Sequence, residues 1–207
     1  MKRIISVFAI CVMLCSLFVG CGNKQTPTTA PTQSQTQGNT QAPTQTPTQG
    51  QTQTPASAVE ALESVWNLFA EEEKFWVVGG DYNNAVDNAP GTVDLSVSDY
   101  LTTSLLVPEA QLAAISEAAS MMHAMNGNNF TCGVYKVADV SAFASIMKDT
   151  ILANQWICGM PEMLKIVDLG GGYVLVAFGI GDAMNPFFTN LATAYPQAAT
   201  LVDEPVV

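Results

Sequence analysis

Apolar and polar positions divide the chain into three unlike stretches. A 16-residue, mostly apolar run spans Ile4 to Val19, residues 24–55 carry almost no apolar side chain, and from residue 56 onward helical and strand periods alternate. Val59, Leu62, Val65, Trp66 and Phe69 recur at helical spacing and predict a helix over about 56–74, with Thr54-Pro55 as cap and first-turn proline. "FWVV" (75–78) reads as a short strand ended by Gly79-Gly80, and the Asn, Asp, Pro and Gly of 81–91 read as a loop. "VSDYLTTSLL" and "VPEAQLAAI" predict two short helices, the second started by Pro108. Residues 116–137 are in conflict: the first half favours helix, but "NGNN" (126–129) signals a turn and "FTCGVYKV" a strand, so a hairpin is expected. Residues 138–156 predict an amphipathic helix with Val140, Phe143, Ile146, Met147, Ile151 and Leu152 on one side. "EMLKIVDL" and "YVLVAFGI" flank Gly170-Gly171-Gly172 as a second hairpin, and the latter, apolar on both faces, belongs at the centre of a sheet covered twice. Asn185-Pro186 opens a last helix carrying Phe187, Phe188, Leu191 and Tyr195. The sum is an α+β domain, with an antiparallel sheet of about four strands in ββαββ order packed with helices.

The first stretch has the parts of a secretory signal: Lys2 and Arg3, an apolar run shorter than the ~20 residues of a membrane span, then small Gly20 before Cys21. "LFVGC" (17–21) resembles the lipobox of bacterial lipoproteins, departing from it at Phe18, where an aliphatic residue is usual. The resemblance implies a diacylglycerol on Cys21 and cleavage before it. Two acyl chains hold a protein on a membrane stably where one holds it only marginally. The expected location is the extracytoplasmic face of the cell membrane, with the lipid on Cys21 as the membrane contact.

Residues 24–55 contain 11 Thr, 9 Gln and 5 Pro, and "APTQSQTQGNTQ" (30–41) and "APTQTPTQGQTQ" (42–53) match at 9 of 12 positions. Such a segment buries too little surface to offset its ordering entropy. It reads as a low-complexity disordered tether, about 30 Å long as a flexible coil and about 100 Å fully extended, with Thr and Pro that permit O-glycosylation. The expected organisation is therefore signal peptide 1–21, tether 22–55 and one globular domain 56–207.

Charge narrows the partners. The domain holds four lysines against all 18 acids, a formal charge of −14. Phosphate backbones are repelled, so nucleic acid is not an expected partner, and anionic lipid surfaces are disfavoured.

Together with the lipobox and tether, the pieces "EEEKFWVVGGDYNNAVDNAPGTVD", "AASMMHAMN", "NQWICGMPEML" and "LVDEPVV" are similar to a family of small lipoproteins of Gram-positive anaerobes. Its members often carry the automatic name "bacteriocin transport accessory protein", and its domain is also similar to a larger lipoprotein family of unknown function. The likeness covers nearly all of 56–207. The name implies a thioredoxin-like redox protein, but this chain has no C-x-x-C, so no redox activity is carried over.

The candidate chemistry is sparse. Cys11 and Cys15 leave with the signal and Cys21 takes lipid, which leaves Cys132 and Cys158 in an oxidising compartment; a helix that returns along its preceding strand brings them level, so a disulfide is expected. Met121, His123 and Met125 share one face of a strand, and a two-residue turn at 127–128 would set His123 opposite Cys132. Soft thioether and thiolate ligands with imidazole suit Cu(I), and a Cys–His nucleophile needs the same proximity; core packing by Met and one tolerated histidine is the plainer account. Asp81, Asn83, Asp87 and Asp94 form an acidic loop without the glycine and glutamate spacing of a calcium loop, and Glu71-Glu72-Glu73 reads as a solvated helix end. Gly179-x-Gly181 lacks the third glycine of a dinucleotide loop, Met184 standing there, and Asp182 would repel phosphate. No Ser–His–Asp, metal-protease or Walker spacing occurs, and no cofactor is expected. The expected function is a non-enzymatic interaction or accessory module of the cell envelope with an unidentified protein or envelope partner; the alternative is copper or redox handling through Met121, His123 and Met125.

Overall fold

The structure, a computed structural model, describes residues 53–206. The signal segment, Cys21 and all but the last three residues of the expected tether lie outside the described residues. Pro55, placed by the sequence in the tether, is buried against the domain.

Helix α1 (Ala58–Trp66) starts later and ends earlier than its apolar period suggests. Its cap is Ser57, whose Oγ accepts from the Glu60 N–H at 3.2 Å, because a serine in extended geometry satisfies a first-turn donor that Thr54 is too far away to reach. Glu71–Glu73 forms a separate exposed 3₁₀ turn, with Glu71 paired to Lys74 at 2.6 Å. Strand β1 (Val77–Gly79) follows, then two short strands inside the expected loop, β2 (Val86–Asp87) and β3 (Gly91–Thr92). Helix α2 (Ser98–Thr103) leads to a 3₁₀ stretch, Glu109–Ala114, where a second helix was expected.

Strands β4 (Ile115–His123) and β5 (Phe130–Val137) are the first hairpin, helix α3 (Val140–Leu152) follows, and β6 (Met163–Gly170) and β7 (Tyr173–Gly179) are the second hairpin. Gly170, Gly171 and Gly172 all have positive φ in the turn between them, a conformation that side chains resist. Helix α4 (Gly181–Ala194) starts four residues before Asn185, leaving Pro186 inside it. A last strand, β8 (Ala199–Pro205), was not anticipated: it is exposed at nearly every position, so it shows no strand period.

The sheet has eight strands rather than about four, in the order β2-β1-β4-β5-β7-β6-β8, with β3 also on β4 and every pairing antiparallel. The α+β class and the ββαββ centre are as the sequence indicates, and the extra strands are the short and exposed ones. Strand β7 is buried at every position, as its two apolar faces require. Helices cover both sheet faces. Leu62, Val65 and Trp66 of α1 and Met184, Phe187 and Leu191 of α4 pack with Cys132, Val134, Leu175 and Ala177. On the other face Tyr100 and Leu101 of α2 and Phe143, Met147 and Ile151 of α3 pack with Tyr135, Ile166, Val174 and Val176.

Two polar ties join helices to the sheet. Glu117 on β4 accepts the Ala58 N–H at 2.6 Å and the Tyr173 hydroxyl at 3.0 Å, so a carboxylate sits at the positive end of α1. On the opposite face the buried Tyr100 hydroxyl donates to Ser120 Oγ at 2.8 Å, which donates to the Gly80 carbonyl at 2.6 Å. Burial pushes the Tyr100 phenol up to about 12, with the Ser120 hydrogen bond opposing, so it stays a neutral donor.

Candidate functional site

Two loops meet where β4, β5 and β7 end on the same side of the sheet. Asn126 Nδ2 donates to the Cys158 carbonyl at 2.9 Å, and Asn128 Nδ2 donates to the Ile157 and Gly159 carbonyls at 2.7 and 2.8 Å. The hairpin turn therefore holds the segment after α3 in place through its backbone. Cys158 takes a φ of 65° there, a left-handed geometry that costs a non-glycine residue about 1–2 kcal/mol.

A cavity of about 210 Å³ lies under this junction. Its apolar wall includes Leu106, Met122, Trp156 and Phe178, and the Trp156 and Phe178 rings are 5.1 Å apart. Its polar rim includes Thr103, Ser104, Asn128, Thr131 and Asn154, with no charged side chain among the lining residues. Several of these groups are already fixed. Thr131 Oγ1 donates to the Gly127 carbonyl at 2.9 Å, and the Tyr82 hydroxyl lies 2.9 Å from Ser104 Oγ and 3.1 Å from Thr103 Oγ1.

Two local costs fall on this cavity. Leu106 has a φ of 56°. It follows α2 in a turn closed by the Val107 N–H on the Leu101 carbonyl at 2.9 Å, a helix ending that glycine normally occupies. Glycine would relieve the strain but remove the side chain that forms part of the wall. Trp156 Nε1 is shielded from solvent and has no hydrogen-bond partner among the described residues. A buried donor left unpaired costs about 1–3 kcal/mol, and such groups call for a local reason.

The residues singled out by the sequence are not brought together. Met121 is wholly buried in the α1–α4 core, whereas Met125 is 73% exposed beyond the strand end. His123 pairs with Val77 of β1, and it is Met121 that stands opposite Cys132, because the 126–129 turn is longer than two residues. His123 Nδ1 accepts the Met125 and Asn126 N–H groups at 3.1 and 3.3 Å, and the ring stacks on Phe75 at 5.9 Å. Accepting at Nδ1 places the neutral ring's proton on Nε2, so neither nitrogen offers a free lone pair to copper. The expected Cys132–Cys158 disulfide is absent: both thiols are free. Helix α3 does return Cys158 to the level of the hairpin, but it packs on the face of Tyr135, while Cys132 points to the opposite face under α1 and α4. Burial pushes the Cys132 thiol well up, which removes it as a nucleophile.

The acidic loop is likewise occupied. Asp81, 2% exposed, accepts the Asn83 and Asn84 N–H groups at 2.8 and 3.1 Å on Oδ1 and the Asp94 N–H at 2.7 Å on Oδ2. Gly181, read as part of a glycine loop, donates its N–H to the Glu162 carboxylate at 2.7 Å, so the α4 N-terminus already has an anion from the chain itself. Among the described residues no group of three or more His, Cys, Asp or Glu converges to hold a metal ion, and no helix is long and apolar enough to cross a membrane.

No local spacing announces the cavity, because its lining comes from α2, the first hairpin, the segment after α3 and β7. The one signal in the sequence is "NQWICGMP" (154–161), where Trp156, Ile157 and Met160 follow a helix without continuing its period. Comparison with family models, with curated proteins and with solved structures finds no match to this chain.

Proposed function

We propose that the protein is a lipid-anchored, extracytoplasmic binding module of the cell envelope, acting through recognition rather than catalysis. Cys21 carries this reading: it stands where an apolar run with a basic start passes into a Thr/Gln/Pro tether. The resemblance to small Gram-positive lipoproteins points the same way. Several side chains with catalytic potential are engaged in holding the fold. Asp81 closes a loop, His123 accepts two backbone N–H groups, Cys132 is buried, and Glu117 and Glu162 each receive a helix N-terminus. The uncharged cavity beside Trp156 is a site that these contacts leave open to a partner.

The anchor is tested by Cys21→Ala. The variant is expected in the membrane-free fraction or as an unprocessed precursor, with no acyl mass on the mature chain. A variant that is processed and membrane-bound like the wild type would overturn the reading.

A further inference from the structure

The lining of the Trp156 cavity selects by exclusion. It has no cationic group for an anion, and the domain's formal charge of −14 opposes one. It has no carboxylate, imidazole or thiol for a metal ion, and no carboxylate to pair with an ammonium. Its unspent polar capacity is mixed: among the described residues Asn128 Oδ1 makes no hydrogen bond, Thr131 Oγ1 has donated its proton and can only accept, and the Asn154 carboxamide, donor and acceptor both, is unengaged. A ligand bound here brings hydroxyls, which both donate and accept, on one edge and an apolar surface on the other, to lie against Trp156. At about 210 Å³ the space is below the roughly 300–1,000 Å³ of sites for larger organic ligands, which limits the ligand to one ring.

We propose that this cavity binds a single neutral pyranose unit, with the C–H face of the sugar on the Trp156 indole and its hydroxyls on Asn128, Thr131 and Asn154. This accounts for a leucine at a turn that glycine would hold without strain, since the Leu106 side chain completes the wall. The proposal rests on the reading of the chain as a binding module, but not on the anchor. The unit is either a free monosaccharide or the end of a glycan.

The test uses the full chain in a detergent without a sugar headgroup. Its three tryptophans give three indole N–H resonances, and that of Trp156 is identified by its loss in Trp156→Phe. Glucose, N-acetylglucosamine and the trisaccharide of N-acetylglucosamine are titrated, with phosphate and putrescine as an anionic and a cationic probe. The expected result is a saturable shift of the Trp156 resonance with a neutral sugar and no such shift with phosphate or putrescine. Asn154→Ala and Thr131→Val each weaken the response about three- to tenfold, the range for one hydrogen bond. Equal affinity for the monosaccharide and trisaccharide assigns the source as free sugar; tighter binding of the trisaccharide assigns it as a glycan end. If Trp156→Phe does not fold, the resonance that responds to Asn154→Ala is followed instead. The proposal is overturned if no sugar moves that resonance, if putrescine or phosphate moves it in place of sugar, or if both cavity variants titrate like the wild type. Membrane fractionation of Cys21→Ala reads the anchor alone, so the two failures are distinguishable.

Discussion

Replacing Asp81 by Asn removes one charge and almost no volume, and it tests what that carboxylate contributes. In the wild type its two oxygens take three backbone N–H groups, from Asn83, Asn84 and Asp94. Burial by itself would raise the Asp81 pKa, but the hydrogen bonds from Asp94, Asn83 and Asn84 outweigh it and leave the carboxyl below its ordinary 3.8. In Asp81→Asn the amide oxygen keeps the two bonds from Asn83 and Asn84. The amide nitrogen then faces the Asp94 N–H, so donor meets donor. Losing one charge-assisted bond and leaving a donor unpaired gives a loss of about 2–4 kcal/mol at neutral pH. At about 2–4 °C per kcal/mol for a domain of this size, the melting temperature falls by about 5–15 °C. A group whose folded pKa is depressed contributes fully above its unfolded pKa, and the contribution is lost as pH falls through the folded value. The protonated Asp81 carboxyl has one acceptor and one donor, like Asn. The gap between wild type and variant is therefore constant at neutral pH and narrows once pH falls below 3.8. Thermal unfolding followed by circular dichroism on a chain starting at Gly22 measures both effects. Equal melting temperatures at neutral pH, or a gap that does not narrow in acid, would refute the reasoning.

Two further outcomes follow from the geometry. Alkylation of the native protein without reductant is expected to label Cys158 quickly and Cys132 only on unfolding, and an intact mass two hydrogens light, marking a disulfide, contradicts the free-thiol structure. Glu117→Ala removes the carboxylate shared by the α1 N-terminus and Tyr173, so it is expected to cost about 2–3 kcal/mol in denaturant unfolding; a loss under half a kilocalorie per mole would mean that helix packing alone positions α1.

Long apolar periods were legible in the sequence and isolated polar contacts were not. The hairpins of β4–β5 and β6–β7 and helix α3 follow from period and turn residues alone. Strand β8 is invisible to the same method, because its side chains are mostly exposed and only its backbone pairing to β6 defines it. The α4 start was misplaced because Asn185-Pro186 looks like a cap, while the working N-terminus is set by Glu162, a residue on another segment. The disulfide failed for a related reason. Spacing fixed the height of Cys158 along β5, but which sheet face α3 covers is decided by Phe143, Met147 and Ile151 packing with Tyr135 and Val174. The cavity needs four segments at once, and no window of sequence contains them.

The cavity lies far from the point where the chain enters the domain. The chain enters the domain beside the β6–β7 turn, where Thr54 lies against Gly171 and the Tyr173 hydroxyl lies 3.2 Å from the Ala56 carbonyl. Tyr173 opens β7, and Phe178, in the cavity wall, is near its other end. At about 3.3 Å per residue the strand separates the two by about 17 Å. Entry point and cavity thus lie at opposite ends of the central strand, with Gly179 and the Asn126–Asn129 turn beyond it. Ile157, 79% exposed, and Met160, 46% exposed, stand at the cavity end, against Met125 at 73%. Three exposed apolar side chains and the uncharged cavity thus share the end of the sheet opposite the point where the chain enters the domain.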